Sequence, residues 1–396
     1  MRPNKARLTL PALAALGLAA AVLAGCAATR PGADAAAATG ASAAVLAAPS
    51  PLELAAPTGT RPIGAVSLYL VDRTRVDPLA GTPGPRELSV RVWYPAASPA
   101  DGPPVGYMSE GVSAAIEGAF GLPAGTFGEL SAHASASPPV ADGRHPLLLF
   151  SHGLGTMHQF DTSLLEELAS RGYVVAAIDH TYDAAVVELP DGRVVPGIAP
   201  AVPDPAQRRQ LLSTRVDDLR FVLDRLVRLT RAESGLLAGH LDLRRIGALG
   251  HSFGGATVAS AMLIDRRIVA GADLDGRVWG RVVSKGLDRP FMLLVGDSLT
   301  VGLTPDQARF FTRLRSERHA LRLVGAGHFS FTDLPQFANA LPGLDQLFDI
   351  GSIDAAEATR EVRAYVTAFF DEALLGRRNP LLDGASPDHP NVRFLG

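Results

Sequence analysis

Only one cysteine, Cys26, occurs among the 396 residues, so no disulfide can close within this chain. Neither a His-Glu-x-x-His pattern nor a cluster of cysteines and histidines is present, so no metal centre is expected. Charge of one sign is not in excess. Lys and Arg number 37 against 40 Asp and Glu, for a formal net charge of −3. The absence of a basic stripe argues against nucleic acid as a partner. Gly325-Ala326-Gly327 opens no Gly-x-Gly-x-x-Gly helix, so no dinucleotide cofactor is expected, and nothing implies another cofactor. The apolar run at 8–23, interrupted by Pro11, falls short of the roughly 20 residues that a spanning helix needs.

What stands at the N-terminus is specific. Arg2, Lys5 and Arg7 precede the apolar run, and Leu23-Ala24-Gly25-Cys26 follows it. This resembles a bacterial lipoprotein signal peptide, with residues 1–25 removed and Cys26 lipidated. Removal would take away three cations and make the charge more negative by three. More than one acyl chain on Cys26 would give stable anchoring. The expectation is an exported protein held at the outer face of the cell membrane. Residues 26–58 are rich in Ala, Gly, Pro and Ser and read as a flexible tether. Residues 59–396 read as one domain of alternating strands and helices, doubly wound about a mostly parallel sheet.

The most informative motif is Gly250-His251-Ser252-Phe253-Gly254-Gly255. It follows an apolar strand-like run at 246–249 and precedes a small-residue helical segment at 256–263. Strand, sharp turn and helix make it a nucleophile elbow with Ser252 at its tip. Gly250 and Gly254 are needed where a Cβ would crowd the adjacent strand or helix. A serine needs a base, an acid and an oxyanion hole. In this arrangement they should follow in the order Ser, acid, His, each at a strand end. The run 321–328 ends in a glycine loop that presents His328, the expected general base and acid. His319 precedes that strand and should lie at the opposite edge. The runs 268–275 and 291–297 end in Asp275 and Asp297, and both acids can in principle reach His328. Asp273 alternates with Asp275 on the same face but lies deeper. Upstream, 146–151 is a buried strand leading into His152-Gly153-Leu154-Gly155. The backbone amides of Leu154 and Phe253 are the expected oxyanion donors, while His152 is read as shaping the turn. An apolar acyl pocket is expected from Leu154, Phe253, Trp279, Phe329 and Phe331.

Four segments carry a resemblance to a family. Phe150-Ser151-His152-Gly153-Leu154-Gly155, the stretch 168–180, Gly250 through Val258, and Ala272-Asp273-Leu274-Asp275 followed by Trp279 resemble the plasma-type (group VII) platelet-activating factor acetylhydrolases. The stretch 66–95, with Asp72-Arg73 and Val92-Trp93-Tyr94-Pro95, resembles that family's N-terminal antiparallel hairpin. The likeness spans roughly 60–335. It implies an α/β-hydrolase fold and places the acid one strand earlier than in the cutinases, hence at Asp275 rather than Asp297. It also implies a small lipid or ester substrate, with short or oxidised acyl chains. A broad carboxylesterase or polyester hydrolase, a cell-envelope acyltransferase and a catalytically silent binder are the other readings.

Two stretches, 104–142 and 186–212, read as insertions over the site. The segment 205–231 places Leu212, Val216, Leu219, Val222, Leu223, Leu226 and Leu229 at helical spacing and reads as a sheet-covering helix. The segment 361–375 reads the same way.

Overall fold

The computed structural model describes residues 52–99, 103–200, 202–298 and 300–396. The signal-peptide reading, Cys26 and most of the tether lie outside the described residues. Strands β1 (Ile63–Val76) and β2 (Pro85–Pro95) come first, then β3 (Pro104–Gly106), helix α1 (Glu110–Phe120) and β4 (Ser131–Ala136). The central stretch runs β5 (His145–Ser151), α2 (Thr162–Ser170), β6 (Val174–Asp179), β7 (Val186–Glu188), β8 (Val194–Pro196), α3 (Pro205–Arg231), β9 (Leu241–His251) and α4 (Phe253–Ile264). It continues as β10 (Ala270–Leu274), α5 (Arg281–Lys285), β11 (Phe291–Val295), α6 (Pro305–Phe311), β12 (Arg318–Leu323), α7 (Leu334–Phe337), α8 (Leu344–Leu347), α9 (Ala355–Leu375) and β13 (Val392–Phe394).

The main sheet has the order β13-β12-β11-β10-β9-β5-β6-β2-β1-β4-β3. The pairs from β6 through β5, β9, β10 and β11 to β12 are parallel. β1 and β2 form the antiparallel hairpin, in register from Ile63 opposite Pro95. Successive strand residues point to opposite faces, and the core divides accordingly. Leu147 and Leu149 of β5 meet α3, α4 and α5 on one side. Leu148 and Phe150 meet α2 and α9 on the other. A strand buried on both faces must be apolar throughout, which is why β5 reads as an unbroken hydrophobic run.

Helix α3 begins where its sequence dictates. Asp204 caps the N–H groups of Ala206 and Gln207, the Gln207 side chain returns to the Asp204 N–H, and Pro205 takes the first position.

Two boundaries differ from the sequence reading. Residues 52–58 belong to the folded domain, not to the tether. Leu54 is buried among the insertions, the Ala55 N–H donates to Gln336 Oε1 at 2.7 Å, and the Thr58 N–H donates to Glu167 Oε2 at 2.6 Å. The partners lie more than 100 residues away, so local composition cannot reveal them. The insertion 104–142 is also more than loop. β3 and β4 extend the main sheet beyond β1, while α1 joins a third apolar cluster. That cluster gathers Met108, Ile116 and Phe127 with Val186, Phe329, Phe337 and Phe348. The segment 334–350, which shows no clear periodicity, completes it. Among the described residues no helix is long and apolar enough to cross a membrane.

Candidate active site

Ser252 stands between the end of β9 and the start of α4, with φ +55° and ψ −119°. This left-handed backbone is costly for a residue with a side chain and is held by its surroundings. A Cβ at Gly254 would run into the Ser151 carbonyl oxygen, and one at Gly250 into the Gly254 backbone. The turn therefore closes only with glycine at both places. The Ser252 N–H donates to Leu274 O at 2.8 Å and ties the elbow to β10.

The structure brings Ser252, His328 and Asp275 into one line. Ser252 Oγ lies 2.9 Å from His328 Nε2, and His328 Nδ1 lies 2.6 Å from Asp275 Oδ2. An ionised Asp275 only accepts, so the proton sits on Nδ1 and the Nε2 lone pair faces the serine hydroxyl. Asp275 is 1% exposed at its side chain and itself has φ +52°. Its oxygens also accept from the Gly296 N–H at 2.8 Å and from Ser298 Oγ at 3.0 Å. Gly-Asp-Ser after β11 thus serves the site through Gly296 and Ser298 rather than through Asp297. Asp297 turns away, accepting from Arg322 Nε at 2.5 Å and from the Gly325 N–H at 2.8 Å. Asp273 is buried beneath the elbow, accepts from the Gly276 N–H at 2.8 Å, and makes no bond to His328. Burial, reinforced by the nearby Asp275, raises the Asp273 carboxyl well above its usual range. His319 lies at the start of β12 and pairs with Glu317.

His251, the residue before the nucleophile, was not singled out by the sequence. Its Nε2–H donates to the His328 carbonyl at 2.9 Å. Burial, then the neighbouring His328 ring, push it down to about 3, so it remains a neutral donor. Asp349, from the unperiodic segment, accepts from the Phe329 N–H through its carbonyl at 2.8 Å. These contacts fix the backbone on both sides of the His328 ring.

The turn after β5 lies beside the serine. A Cβ placed on Gly153 would lie 3.4 Å from Ser252 Cβ, so this turn approaches the nucleophile closely. Phe253 is the first residue of α4, where the N–H has no intrahelical acceptor. No protein acceptor for the Leu154 N–H occurs among the described residues. Both amides are free to bind a negative oxygen. His152 shapes the turn. Its Nδ1–H donates to Gly153 O at 2.6 Å, and its Nε2 accepts the His180 N–H at 3.2 Å. Burial and the Arg215 cation hold this imidazole well below its usual value, hence neutral.

A buried polar network beneath this turn was missed in the sequence. His180 receives Ser151 Oγ–H at 2.9 Å on Nε2 and donates from Nδ1 to Asp218 at 3.0 Å. Asp218 is shared with Arg86 and Arg75. Burial alone would raise the Asp218 carboxyl, but Arg86 beside it and the bond from His180 hold it well below the carboxylate range. Arg215 and Asp183 form a second ion pair with both side chains at or below 1% exposure. The available signal was a charge inside an apolar stripe. Arg215 and Asp218 share the buried face of α3 with Leu211, Leu219 and Val222.

The expected acyl pocket divides. Trp279 is half-buried and packs on Phe253 with ring centres 5.3 Å apart. Phe329 packs edge-on against His328 at 5.2 Å and against Phe348 at 5.2 Å. Phe331 is a core residue instead. It is 3% exposed and packs with Leu294, Leu323 and Ala326, because the helical turn His328–Phe331 directs it inward over Gly296. A small apolar cavity of about 80 Å³ lies beyond Phe348, lined by Phe120, Leu122, Phe127 and Leu344. A larger groove of about 990 Å³ follows Arg171, Arg363 and His389 and contains none of the Ser252 relay, so it is not the reaction site. Among the described residues no group of three or more His, Cys, Asp or Glu could hold a metal ion.

Comparison with known proteins relates the chain to a family of esterases. The family model described as "Platelet-activating factor acetylhydrolase, isoform II" matches residues 90–189 and 231–381. A "Probable 1-alkyl-2-acetylglycerophosphocholine esterase" of Arthroderma benhamiae is 31% identical over 268 residues, 63% of this chain and 66% of that protein. The "Platelet-activating factor acetylhydrolase" of Cavia porcellus is 25% identical over 279 residues, 63% of this chain and 62% of that protein. The match therefore spans less than two thirds of the length of either relative. Among solved structures, a ferulic acid esterase from Streptomyces cinnamoneus superposes with a TM-score of 0.77 at 37% identity, covering 88% of this chain and all of that one.

Proposed function

We propose that this chain, which belongs to the platelet-activating factor acetylhydrolase, isoform II, family, is a serine hydrolase of carboxylic esters. One observation carries the reading. Ser252, His328 and Asp275 form an unbroken relay, at 2.9 and 2.6 Å, from three separate strand ends. His328 takes the proton of Ser252 as Oγ attacks the ester carbonyl. The resulting oxyanion is bound by the Leu154 and Phe253 amides. His328 then gives its proton to the departing alcohol. Water repeats the sequence on the acyl-enzyme and releases the acid.

The preferred substrate is an ester with a short or oxidised acyl chain, as on a glycerophospholipid. Support comes from the family match and from the fungal and mammalian relatives. A second reading has its own support. The esterase neighbour named for ferulic acid is the more identical relative and is covered over its whole length. That favours a small aromatic acyl group. A p-nitrophenyl ester series from acetyl to long-chain, run beside methyl ferulate, separates the two. The protein should retain residues 52–58, which pack on the domain. A rate that falls steeply with alkyl length and exceeds that on ferulate supports the first reading. Ferulate preference supports the second, and no rate on any ester by folded protein removes both.

The site of action is proposed from the N-terminal sequence. Cys26 is lipidated after loss of residues 1–25, and the chain is held at the outer face of the cell membrane. Cys26→Ser should move the protein from the membrane fraction to the soluble fraction. Unchanged membrane retention would contradict the anchor.

A further inference from the structure

Arg215 lies in α3, between the two stretches that the family model matches. Its side chain is fully buried and does not touch the Ser252 relay. It reaches the turn after β5 instead. Nη1 donates to the His152 carbonyl, and Nη2 donates to the Gly153 carbonyl at 3.0 Å. Nε and Nη2 grip both oxygens of Asp183, at 2.7 and 2.5 Å. The guanidinium carbon stands 5.0 Å from the centre of the Phe253 ring.

These contacts bear directly on the Leu154 amide and touch the side chain of Phe253. The Gly153 carbonyl and the Leu154 N–H belong to one peptide unit. That unit is trans and planar, so fixing the oxygen fixes the opposed N–H. Gly153 O accepts from Arg215 Nη2, from His152 Nδ1 at 2.6 Å and from Thr156 Oγ1 at 3.1 Å. A full positive charge on the carbonyl side polarises the peptide and makes its N–H a stronger donor. The Phe253 ring, whose residue supplies the other amide, rests against the same cation. The cation thus meets the peptide that carries the Leu154 N–H, and the side chain of the residue that carries the Phe253 N–H.

We propose that Arg215, held by Asp183, is a positioning residue that orients and polarises the oxyanion hole before substrate arrives. This rests on the serine-hydrolase reading above. Lysine at this position keeps the charge but loses the planar fork. Glutamine loses the charge and leaves Asp183 unpaired, which threatens folding. Arg215→Lys and the paired change Arg215→Gln with Asp183→Asn are therefore measured together.

Each is assayed per active site, counted by titration with a fluorophosphonate, on the best ester of the wild type. The probe for the oxyanion is an aryl trifluoromethyl ketone, which adds to the serine as a hemiketal. The expectation for the paired variant is a kcat lower by about 100-fold, near the low end for losing one oxyanion donor. KM should change by less than about threefold. Ketone affinity should fall in proportion to kcat/KM, with an intermediate loss in Arg215→Lys. A purely structural role would lower the titratable fraction and leave kcat per site and ketone affinity unchanged, and that result overturns the inference. Failure of the parent reading is distinguishable, because the wild type itself would then hydrolyse no ester.

Discussion

Replacing Ser252 with alanine is expected to lower kcat by about six orders of magnitude on the best ester. In serine hydrolases the nucleophile and base act as one unit, and loss of either costs about that much. The geometry here gives the same expectation. His328 Nε2 faces Ser252 Oγ at 2.9 Å, and Oγ is the only protein oxygen to which that nitrogen is bonded among the described residues. Alanine leaves the oxyanion amides and the elbow in place. The residual rate should therefore stay about 10³- to 10⁴-fold above that in water. Thermal stability should hold or rise, because the strained Ser252 backbone is set by Gly250 and Gly254 and not by the hydroxyl. Activity within tenfold of wild type in folded Ser252→Ala protein would end the account.

The second large effect separates two acids. Asp275→Asn should lower kcat by about 10⁴ at neutral pH, the effect of a wrong histidine tautomer. An asparagine amide can donate to Nδ1, which would place the imidazole proton on Nε2, pointing at Ser252. Asp297→Asn should change kcat by less than about threefold. Its carboxylate, 27% exposed at the side chain, serves Arg322 and the turn at Gly325. Asp275, 1% exposed, serves His328 and the Gly296 amide. Steady-state kinetics of the two variants decide between them. A crippled Asp297→Asn enzyme beside a nearly normal Asp275→Asn enzyme would assign the acid to the later strand.

Much of this site is legible in the sequence because its parts are local. The elbow announces itself through glycines that no side chain could replace. β5 and β11 announce themselves as apolar runs and β9 through its apolar end at 246–249, while β10 and β12 carry Asp273 and Arg322 among their apolar residues, and each of the five is followed by chemistry. The helix α3 is legible to the residue, because Asp204, Pro205 and Gln207 encode its start. The choice between Asp275 and Asp297 was not legible in the residues. Both follow a parallel strand, and only the reach of His328 across β11 decides, so the family resemblance had to point to one. Phe331 was misplaced for a related reason. It flanks His328 in sequence, but the intervening helical turn sends it into the core. The packing of residues 52–58, the role of Asp349 and the Arg215–Asp183 pair depend on partners distant in sequence. A charge inside the apolar face of α3 was the one local mark that could have exposed the last of these.

The most direct measurement is mass spectrometry of the acyl-enzyme, quenched in the pre-steady state with a slowly deacylating ester. The account predicts one acyl group per chain, located on Ser252 and absent from Ser252→Ala protein. Ester turnover with the acyl group on another residue, or with Ser252→Ala as active as the parent, would contradict it.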